Sequence, residues 1–236
     1  MMITAAILQP SYLSWPGHFY WMNNCDIFIF LDDVQYTRQD WRNRNYIKGP
    51  KGKQLLTVPV HWYGNSYCPI NKITIDNKQG WASKHLNSLR TAYGRAQHFR
   101  RYFPYFEDIF SRRWEFLSDL TIRTMKDLAG FLDIRPRFVV SSELKIEVDN
   151  STDKLVKLCQ AVGADTYIAG HRGLEDYVEH KRFSDSGIRI IVEDYEPVEY
   201  PQLWGSFISH LSVVDLLFNC GGISRQFLVR QTGGAA

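Results

Sequence analysis

The sequence predicts an α/β fold in which a mainly parallel, Rossmann-like sheet is flanked by helices. Short apolar runs of β-type residues alternate with segments of helical periodicity, both near the start of the chain and in its last hundred residues. Alternating strands and helices of these lengths indicate parallel strands joined by right-handed crossovers. With 236 residues and 44% hydrophobic content, the chain can bury one full core. We therefore expect a single domain over 1–236, in which 46–132 forms an insertion or subdomain.

The first β-α-β unit is predicted at the start of the chain. Apolar runs at 3–8 and 26–31 predict two strands, and a short helix is expected to begin near Gly17. In open parallel sheets the ligand crevice lies beyond the carboxyl ends of the strands. The polar residues expected to face one pocket there are Gln9, Tyr12, His18, Asp32 and Asp33.

The remaining elements follow from turn residues and periodicity. A small β insertion is expected near 46–76, where the lysine-rich turn 48–53 predicts a solvated hairpin tip, and helical periodicity covers 77–132. Further strands are predicted at 138–140, 166–170 and 188–192, and helices at 77–93, 104–132, 151–163, 174–183 and 209–219. This order completes the mainly parallel sheet.

Composition narrows the functional classes. A net charge of +3, from 28 basic and 25 acidic residues that are mixed along the chain, gives no electrostatic case for nucleic acid or a membrane surface. No stretch approaches 18 consecutive apolar residues, and the start of the chain lacks the pattern of a signal peptide, so a cytoplasmic location is expected. The four cysteines have no metal-ligand spacing and are expected to be reduced thiols. Aromatic residues at 14% suit carbohydrate or nucleotide binding, but they also fill ordinary cores.

The segment 35–44 is rich in side chains that hydrogen-bond and stack, and it is too polar for a core. Guanidinium groups bind diphosphates and carboxylates through paired hydrogen bonds, so its arginines are candidates for holding an anionic ligand. The candidate substrate-binding residues are Gln9, Tyr12, Asp32, Gln35, Arg38, Trp41, Arg42, Asn43, Arg44 and His171.

Two histidines are the candidate catalytic bases. His18 would accept a proton or position a phosphate, with a helix-capping role as the alternative, and His85 would serve as a general base unless it is a packed core histidine. His171 follows a predicted strand at the ligand edge, where the alternative is an exposed turn. Neighbouring strand residues point to opposite sides, so Asp32 and Asp33 predict no two-carboxylate metal site, and no metal is expected.

Several motifs resemble those of the WbqC-like family. They are Leu8-Gln9-Pro10-Ser11-Tyr12, Leu31-Asp32-Asp33-Val34-Gln35-Tyr36, Trp41-Arg42-Asn43-Arg44, Gln202, and the run Leu211 to Gly221. Members are bacterial proteins associated with gene clusters for surface polysaccharide (O-antigen). The resemblance implies transfer of an amino acid or acyl group to an amino sugar.

The opening unit also resembles the nucleotidyltransferase-like group, in which a His-x-Gly-His motif holds ATP phosphates. Here Gly17 and His18 match that motif, whereas Ser14 or Trp15 stands in the place of the first histidine. The run Ile223-Ser224-Arg225 is similar to the group's second phosphate motif. ATP is therefore an open alternative as cofactor.

Two functions are consistent with the sequence. The first is an amide-forming aminoacyl- or acyltransferase that acts on a nucleotide-linked amino sugar in surface polysaccharide biosynthesis. The alternative is a non-catalytic carbohydrate- or nucleotide-binding protein of the same assembly pathway. Both predict a small-molecule partner, and the lack of a complete catalytic motif favours the second.

Overall fold

A computed structural model describes residues 2–62, 67–171 and 179–229. Within these ranges, five strands form one all-parallel central sheet, and four further strands form two antiparallel pairs outside it. The central strands are β1 (Thr4–Leu8), β2 (Ile27–Phe30), β7 (Arg137–Val140), β8 (Thr166–Ala169) and β9 (Arg189–Val192). The outlying strands are β3 (Arg44–Gly49), β4 (Gly52–Thr57), β5 (Val60–His61) and β6 (Thr74–Ile75). The α/β prediction is confirmed.

Seven α-helices surround the sheet in the part of the chain that the structure describes. They are α1 (Pro16–Asn23), α2 (Trp81–Tyr93), α3 (Phe99–Ser111), α4 (Leu117–Phe131), α5 (Ser151–Val162), α6 (His180–Asp185) and α7 (Val213–Cys220). The helix predicted over 174–183 falls partly outside the described residues. The helix predicted over 209–219 begins only at Val213, because the side chain of Ser212 caps it by accepting a hydrogen bond from the backbone of Val214.

The strand order determines where a ligand crevice forms. Across the sheet the order is β7, β2, β1, β8, β9, with β1 paired in parallel to both β2 and β8. After β1, the chain adds β2 and then β7 on one side of β1. It then returns and adds β8 and β9 on the other side of β1. In a doubly wound sheet, ligands bind beyond the carboxyl ends of the strands at such a reversal, which here lies between β1 and β8.

The two faces of the sheet bury different cores. Phe28 and Phe30 point to the larger core, which includes α2, α3 and α4, whereas Ile27 and Ile29 point to a smaller core with α5 and α6. The alternation follows the two-residue period of a strand. The sheet is thus covered on both sides, as a parallel sheet requires.

The segment between β2 and α4 departs from the prediction in two places. The single helix expected over 104–132 is wrong: α3 ends at Ser111, and α4 begins at Leu117. Between them, Glu115 accepts a hydrogen bond from the backbone N–H of Ile75, and Phe116 forms a β-bridge with Thr74. Pairing with β6 thus interrupts the helix. Pro59, which follows β4, separates the β-type run at 54–60 into β4 and β5.

A buried polar network fixes the C-terminal part of the chain. Lys48 was expected in a solvated hairpin tip, but it is 1% exposed, and its ammonium group donates to Gln202 Oε1 and to the carbonyls of Gly205 and Ser206. Asp215 accepts hydrogen bonds from the hydroxyls of Tyr93 (2.8 Å) and Tyr200 (2.9 Å). Burial raises the pKa of the Asp215 carboxyl. Every donor of Lys48 is occupied, so this network stabilises the fold.

Candidate functional site

Gln9, His18 and Arg42 meet at the carboxyl end of β1. Arg42 Nη1 donates to the carbonyl of Gln9 (3.2 Å) and to Ser11 Oγ (2.9 Å), and Nη2 pairs with Asp40 at 3.3 Å. The positive charge of Arg42 is close enough to lower the pKa of His18. Hydrogen bonds thus join the β1 loop to the segment before β3, and His18 on α1 lies within electrostatic reach of Arg42.

Each of these three side chains has a buried polar atom without a hydrogen-bond partner in the described structure. The atoms are Gln9 Oε1, His18 Nδ1 and Arg42 Nε. Buried polar groups in proteins are nearly always hydrogen-bonded, because leaving one unpaired costs about 1–3 kcal/mol. Three such atoms at one strand end indicate a site that a polar ligand completes.

His18 is held in its neutral form. Burial is the larger cause and the nearby guanidinium of Arg42 the smaller one, and together they lower its pKa to about 3. A neutral imidazole has one nitrogen that accepts a proton. His18 can therefore act as a base at neutral pH without first losing a proton.

The start of α1 fixes His18. Pro16 occupies the first helical position, where its fixed φ is favourable. A Cβ on Gly17 would lie 2.3 Å from the Trp15 ring, so only glycine lets that ring cover the helix start. Trp15 then stacks on His210 with 5.4 Å between ring centroids and meets His18 edge-on.

A second group of predicted residues lines a cavity of about 450 Å³. Its lining residues are Tyr36, Arg38, Gln39, Asn43, Arg44, Thr57, Val60 and Trp62. Arg38 lies over the Trp62 ring at 5.4 Å, and Arg44 donates to the carbonyl of Gln39. Within the described ranges neither arginine pairs with a carboxylate, so this arginine cavity presents two uncompensated positive charges. Such a cavity suits an anionic ligand.

Two aromatic residues of the arginine cavity were not among the sequence candidates. Trp62 stands just after β5, and its indole Nε1 is buried without a partner in the described structure. Tyr36 is 3% exposed, and burial raises its pKa to about 12, so its hydroxyl stays protonated. An aromatic residue that follows a short strand is too common a pattern to single out Trp62 from sequence. Tyr36 belongs to the motif Leu31 to Tyr36, which by itself assigned it no role.

The two aspartates after β2 share one partner, Ser141 Oγ, and differ in the others. Asp32 is 3% exposed and accepts hydrogen bonds from Ser141 Oγ (3.0 Å) and from Ser142 Oγ (2.7 Å). Asp33 also accepts from Ser141 Oγ, and it pairs with the ammonium of Lys154 at 2.6 Å. In the described chain, no group of three or more His, Cys, Asp or Glu side chains lies close enough to hold a metal ion.

Tyr12 and His85 lie together in the aromatic core. Their side chains are 2.7 Å apart, Tyr12 is fully buried, and His85 is 5% exposed. Burial lowers the pKa of His85 to about 4, and a hydrogen bond to the backbone of Thr57 partly opposes this. This is the packed arrangement considered for His85 as the alternative to a catalytic base. The backbone N–H of Tyr12 donates to the carbonyl of Arg42 at 3.1 Å, but its side chain packs in the core with His85.

The other predicted residues differ in their surroundings. The amide of Gln35 holds the chain by accepting from the backbone of Cys68 and donating to the carbonyl of Tyr36. Trp41 is 47% exposed and contacts Tyr46 edge-on. His171 is exposed at the end of β8 and pairs with Asp194, and Arg172 beside it lies outside the described residues.

The residues do not fit the ATP motifs of the nucleotidyltransferase-like group. Ser14 or Trp15 stands in the place of the first histidine: Ser14 is buried and donates to the carbonyl of Ser11, and the Trp15 ring stacks on His210. Arg225, in the second motif, bonds Asn23 at the end of α1 and pairs with Asp133 before β7. Those partners lie at the amino edge of the sheet, opposite His18. We therefore derive no step through ATP.

Comparison with known proteins agrees with the sequence motifs. The model of the WbqC-like protein family matches residues 9–226. The chain belongs to the WbqC-like family. A relative from Mycobacterium tuberculosis, the uncharacterized protein Rv1507c, is 36% identical over 225 residues, which cover 94% of this chain and 96% of the relative. No solved structure matches this WbqC-like chain. Among the described residues, no helix of this WbqC-like protein is both long and apolar enough to cross a membrane.

Proposed function

We propose that this WbqC-like protein is an amide-forming aminoacyl- or acyltransferase that acts on a nucleotide-linked amino sugar in surface polysaccharide (O-antigen or lipopolysaccharide) biosynthesis. The observation that carries the proposal is the meeting of Gln9, His18 and Arg42, each with an unpartnered buried polar atom, at the end of the central strand. The arginine cavity supports it, because a nucleotide-linked sugar carries a diphosphate.

The proposed reaction joins the sugar's amino nitrogen to the carbonyl carbon of an activated donor. The nitrogen attacks, a tetrahedral oxyanion forms, and the donor's leaving group departs with the bond electrons. His18 takes the proton that the nitrogen loses, and Arg42 lies where a positive group can stabilise negative charge. Arg38 and Arg44 hold the diphosphate, and Trp62 offers a ring face for the sugar or base.

Ligand charge would adjust the basicity of His18. The positive charge of Arg42 is one of the two causes of the low pKa of His18. A bound anion beside Arg42 offsets that charge and raises the pKa of the imidazole. His18 therefore becomes a better proton acceptor once the substrate is in place.

A non-catalytic binding protein is the second candidate. The arginine cavity favours a binding protein, because His18 is not among the residues that line the cavity. The cavity could therefore hold an anionic ligand without a catalytic base beside it. Such a protein would bind the nucleotide-linked sugar and leave it unchanged.

The test is to incubate the protein with a nucleotide-linked amino sugar and activated aminoacyl and acyl donors, with and without ATP, and to follow the amide product by mass. We expect product with the native chain and a loss of about 100-fold or more in His18→Gln, which is the usual contribution of a general base. His180→Gln, at an exposed position at the start of α6, is the matched control and should retain full rate. Binding without product with every donor would favour the binding protein.

A further inference from the structure

A second cavity lies beyond the end of β2, the strand next to β1. It has a volume of about 460 Å³, which is within the roughly 300–1,000 Å³ typical of small-molecule sites. It is formed where β2 and β7 end, against the first three turns of α4, and it shares no lining residue with the arginine cavity. The lining residues are Asp32, Asn71, Lys72, Ser118, Asp119, Ile122, Arg123, Lys126, Val140, Ser142 and Glu143.

Two of its lining residues, in contact with each other, offer acceptor oxygens. Asp32 is 3% exposed, and its carboxylate receives only hydroxyl and backbone N–H donors. The backbone N–H of Asn71 donates to the carbonyl of Asp32 at 2.9 Å, which holds the two residues side by side. Asn71 Oδ1 is buried and has no hydrogen-bond partner in the described structure. A ligand with several N–H donors would satisfy this pair of acceptors.

The lining also carries opposite charges that are not paired with one another. Within the described ranges, Lys72, Lys126 and Glu143 form no ion pair. Lys126 instead lies over the rings of Phe30 (5.6 Å) and Phe138 (5.9 Å). The pKa of Asp119 is raised by burial and by the neighbouring charges of Asp32 and Glu115. An ammonium group bound here would offset that repulsion between carboxylates.

A ligand that matches this lining must carry both signs of charge. An anion alone would face Asp32, Asp119 and Glu143, and a cation alone would leave the lysines uncompensated. We propose that this cleft binds a free α-amino acid as its zwitterion, with the ammonium at Asp32 and Asn71 and the carboxylate at Lys72 and Lys126. Binding of the amino acid does not rest on the proposed function, because a free carboxylate cannot form an amide until it is activated.

The cleft lies close to the first candidate site. Asp32 follows β2, which pairs directly with β1, and neighbouring strands are about 4.8 Å apart. Helix α4, which lines the cleft, also reaches the β1 loop, because Met125 Sδ accepts a hydrogen bond from the backbone N–H of Ser11 at 3.3 Å. An amino acid in the cleft would therefore lie next to the Gln9–His18–Arg42 cluster.

The test is calorimetric titration of the ligand-free protein with the standard amino acids, each alone. We expect at least one to bind, and its two one-charge analogues, which lack either the ammonium or the carboxylate, to bind about tenfold more weakly or worse. Lys126→Gln should raise Kd about tenfold by removing a charged partner, and Lys157→Gln, an exposed lysine of α5 outside the cleft, should leave Kd unchanged.

The proposal is overturned if no amino acid binds, if the one-charge analogues bind as tightly, or if Lys126→Gln behaves as the native chain does. Lys126 is preferred to Asp32 for substitution because the Asp32 carboxylate also holds Ser141 and Ser142 in place. If acyl donors give amide product but no amino acid binds, the amino-acid cleft is wrong and the proposed transferase function stands. Amino-acid binding with no amide product from any donor would keep the site and remove the transferase.

Discussion

At the scale of single residues, His18 combines burial with a free proton acceptor. It is 9% exposed, it sits near a guanidinium, and its Nδ1 has no partner in the described structure. A charged imidazole would be unfavourable there, because burial and Arg42 both oppose it. The same environment that keeps His18 neutral also makes its protonation a cost to the folded state.

This cost predicts how stability depends on pH. The pKa of His18 is lowered to about 3 in the folded chain, whereas an unfolded histidine has a pKa of about 6.5. Between these values the unfolded state binds more protons, so the free energy of unfolding falls as pH falls. The His18 contribution is complete above about pH 6.5 and is lost as pH falls towards about pH 3.

Denaturant unfolding between about pH 4 and about pH 7 measures this effect. His18→Gln should lower the slope of unfolding free energy against pH by up to about 1.4 kcal/mol per pH unit. His85, whose pKa is about 4, keeps part of the slope in the variant. The exposed His180→Gln serves as control and should retain the native slope. An unchanged slope in His18→Gln would contradict the neutral, buried state of this histidine.

At the scale of elements, two helices contain glycine for different reasons. In α1, Gly17 makes room for the Trp15 ring, as a Cβ there would lie 2.3 Å from it. In α4, Gly130 is exposed and has no atom within 4 Å of an added Cβ. Alanine has a higher helix propensity than glycine at both positions. A difference between the two Gly→Ala variants in the free energy of unfolding therefore reports the steric contact with Trp15.

We expect Gly17→Ala to lower the free energy of unfolding by about 1–3 kcal/mol, because overpacking displaces the indole. The matched Gly130→Ala should raise it by about 0.5–1 kcal/mol, since alanine loses less backbone freedom on folding. Urea unfolding of both variants measures the difference. Equal effects of the same sign would mean that the Trp15 ring moves aside freely.

At the scale of the whole molecule, the strand order gathers the candidate sites at one edge of the sheet. The loop after β1, Asp32 after β2 and His171 after β8 all follow carboxyl ends of neighbouring parallel strands. The amino edge instead holds closing contacts, such as the pair of Arg225 and Asp133. The candidate sites and these closing contacts therefore lie at opposite ends of the strands.

Amide hydrogen exchange tests this separation. Adding a nucleotide-linked amino sugar should slow exchange in 9–18 and 36–44, because a ligand orders the segments that contact it. Exchange in 132–137 and 163–166, at the amino edge, should stay unchanged. Protection confined to the amino edge would contradict a carboxyl-edge site.

The sequence by itself determined the parallel α/β sheet, because strand and helix periods are local and β1 and β2 are nearly continuous apolar runs. It also placed the polar residues of the opening unit at strand ends, since that follows from where each run stops. The motifs that resemble the WbqC-like family were visible because each is a short, continuous stretch of sequence. The division of 46–132 as a subdomain, and the roles of the site residues, remain predictions.

Only the tertiary structure decided which polar residues meet. Lys48 and Asp215 are 167 residues apart in number, yet both belong to one buried network whose partners come from the loop before α7. Tyr12 and His85 match the chemistry of a site but pack in the core, whereas Gln9, His18 and Arg42 converge with atoms unsatisfied. Side-chain type fixes what a residue can bond, but burial and long-range contacts fix whether a partner is already present, and that information lies in no single stretch of the chain.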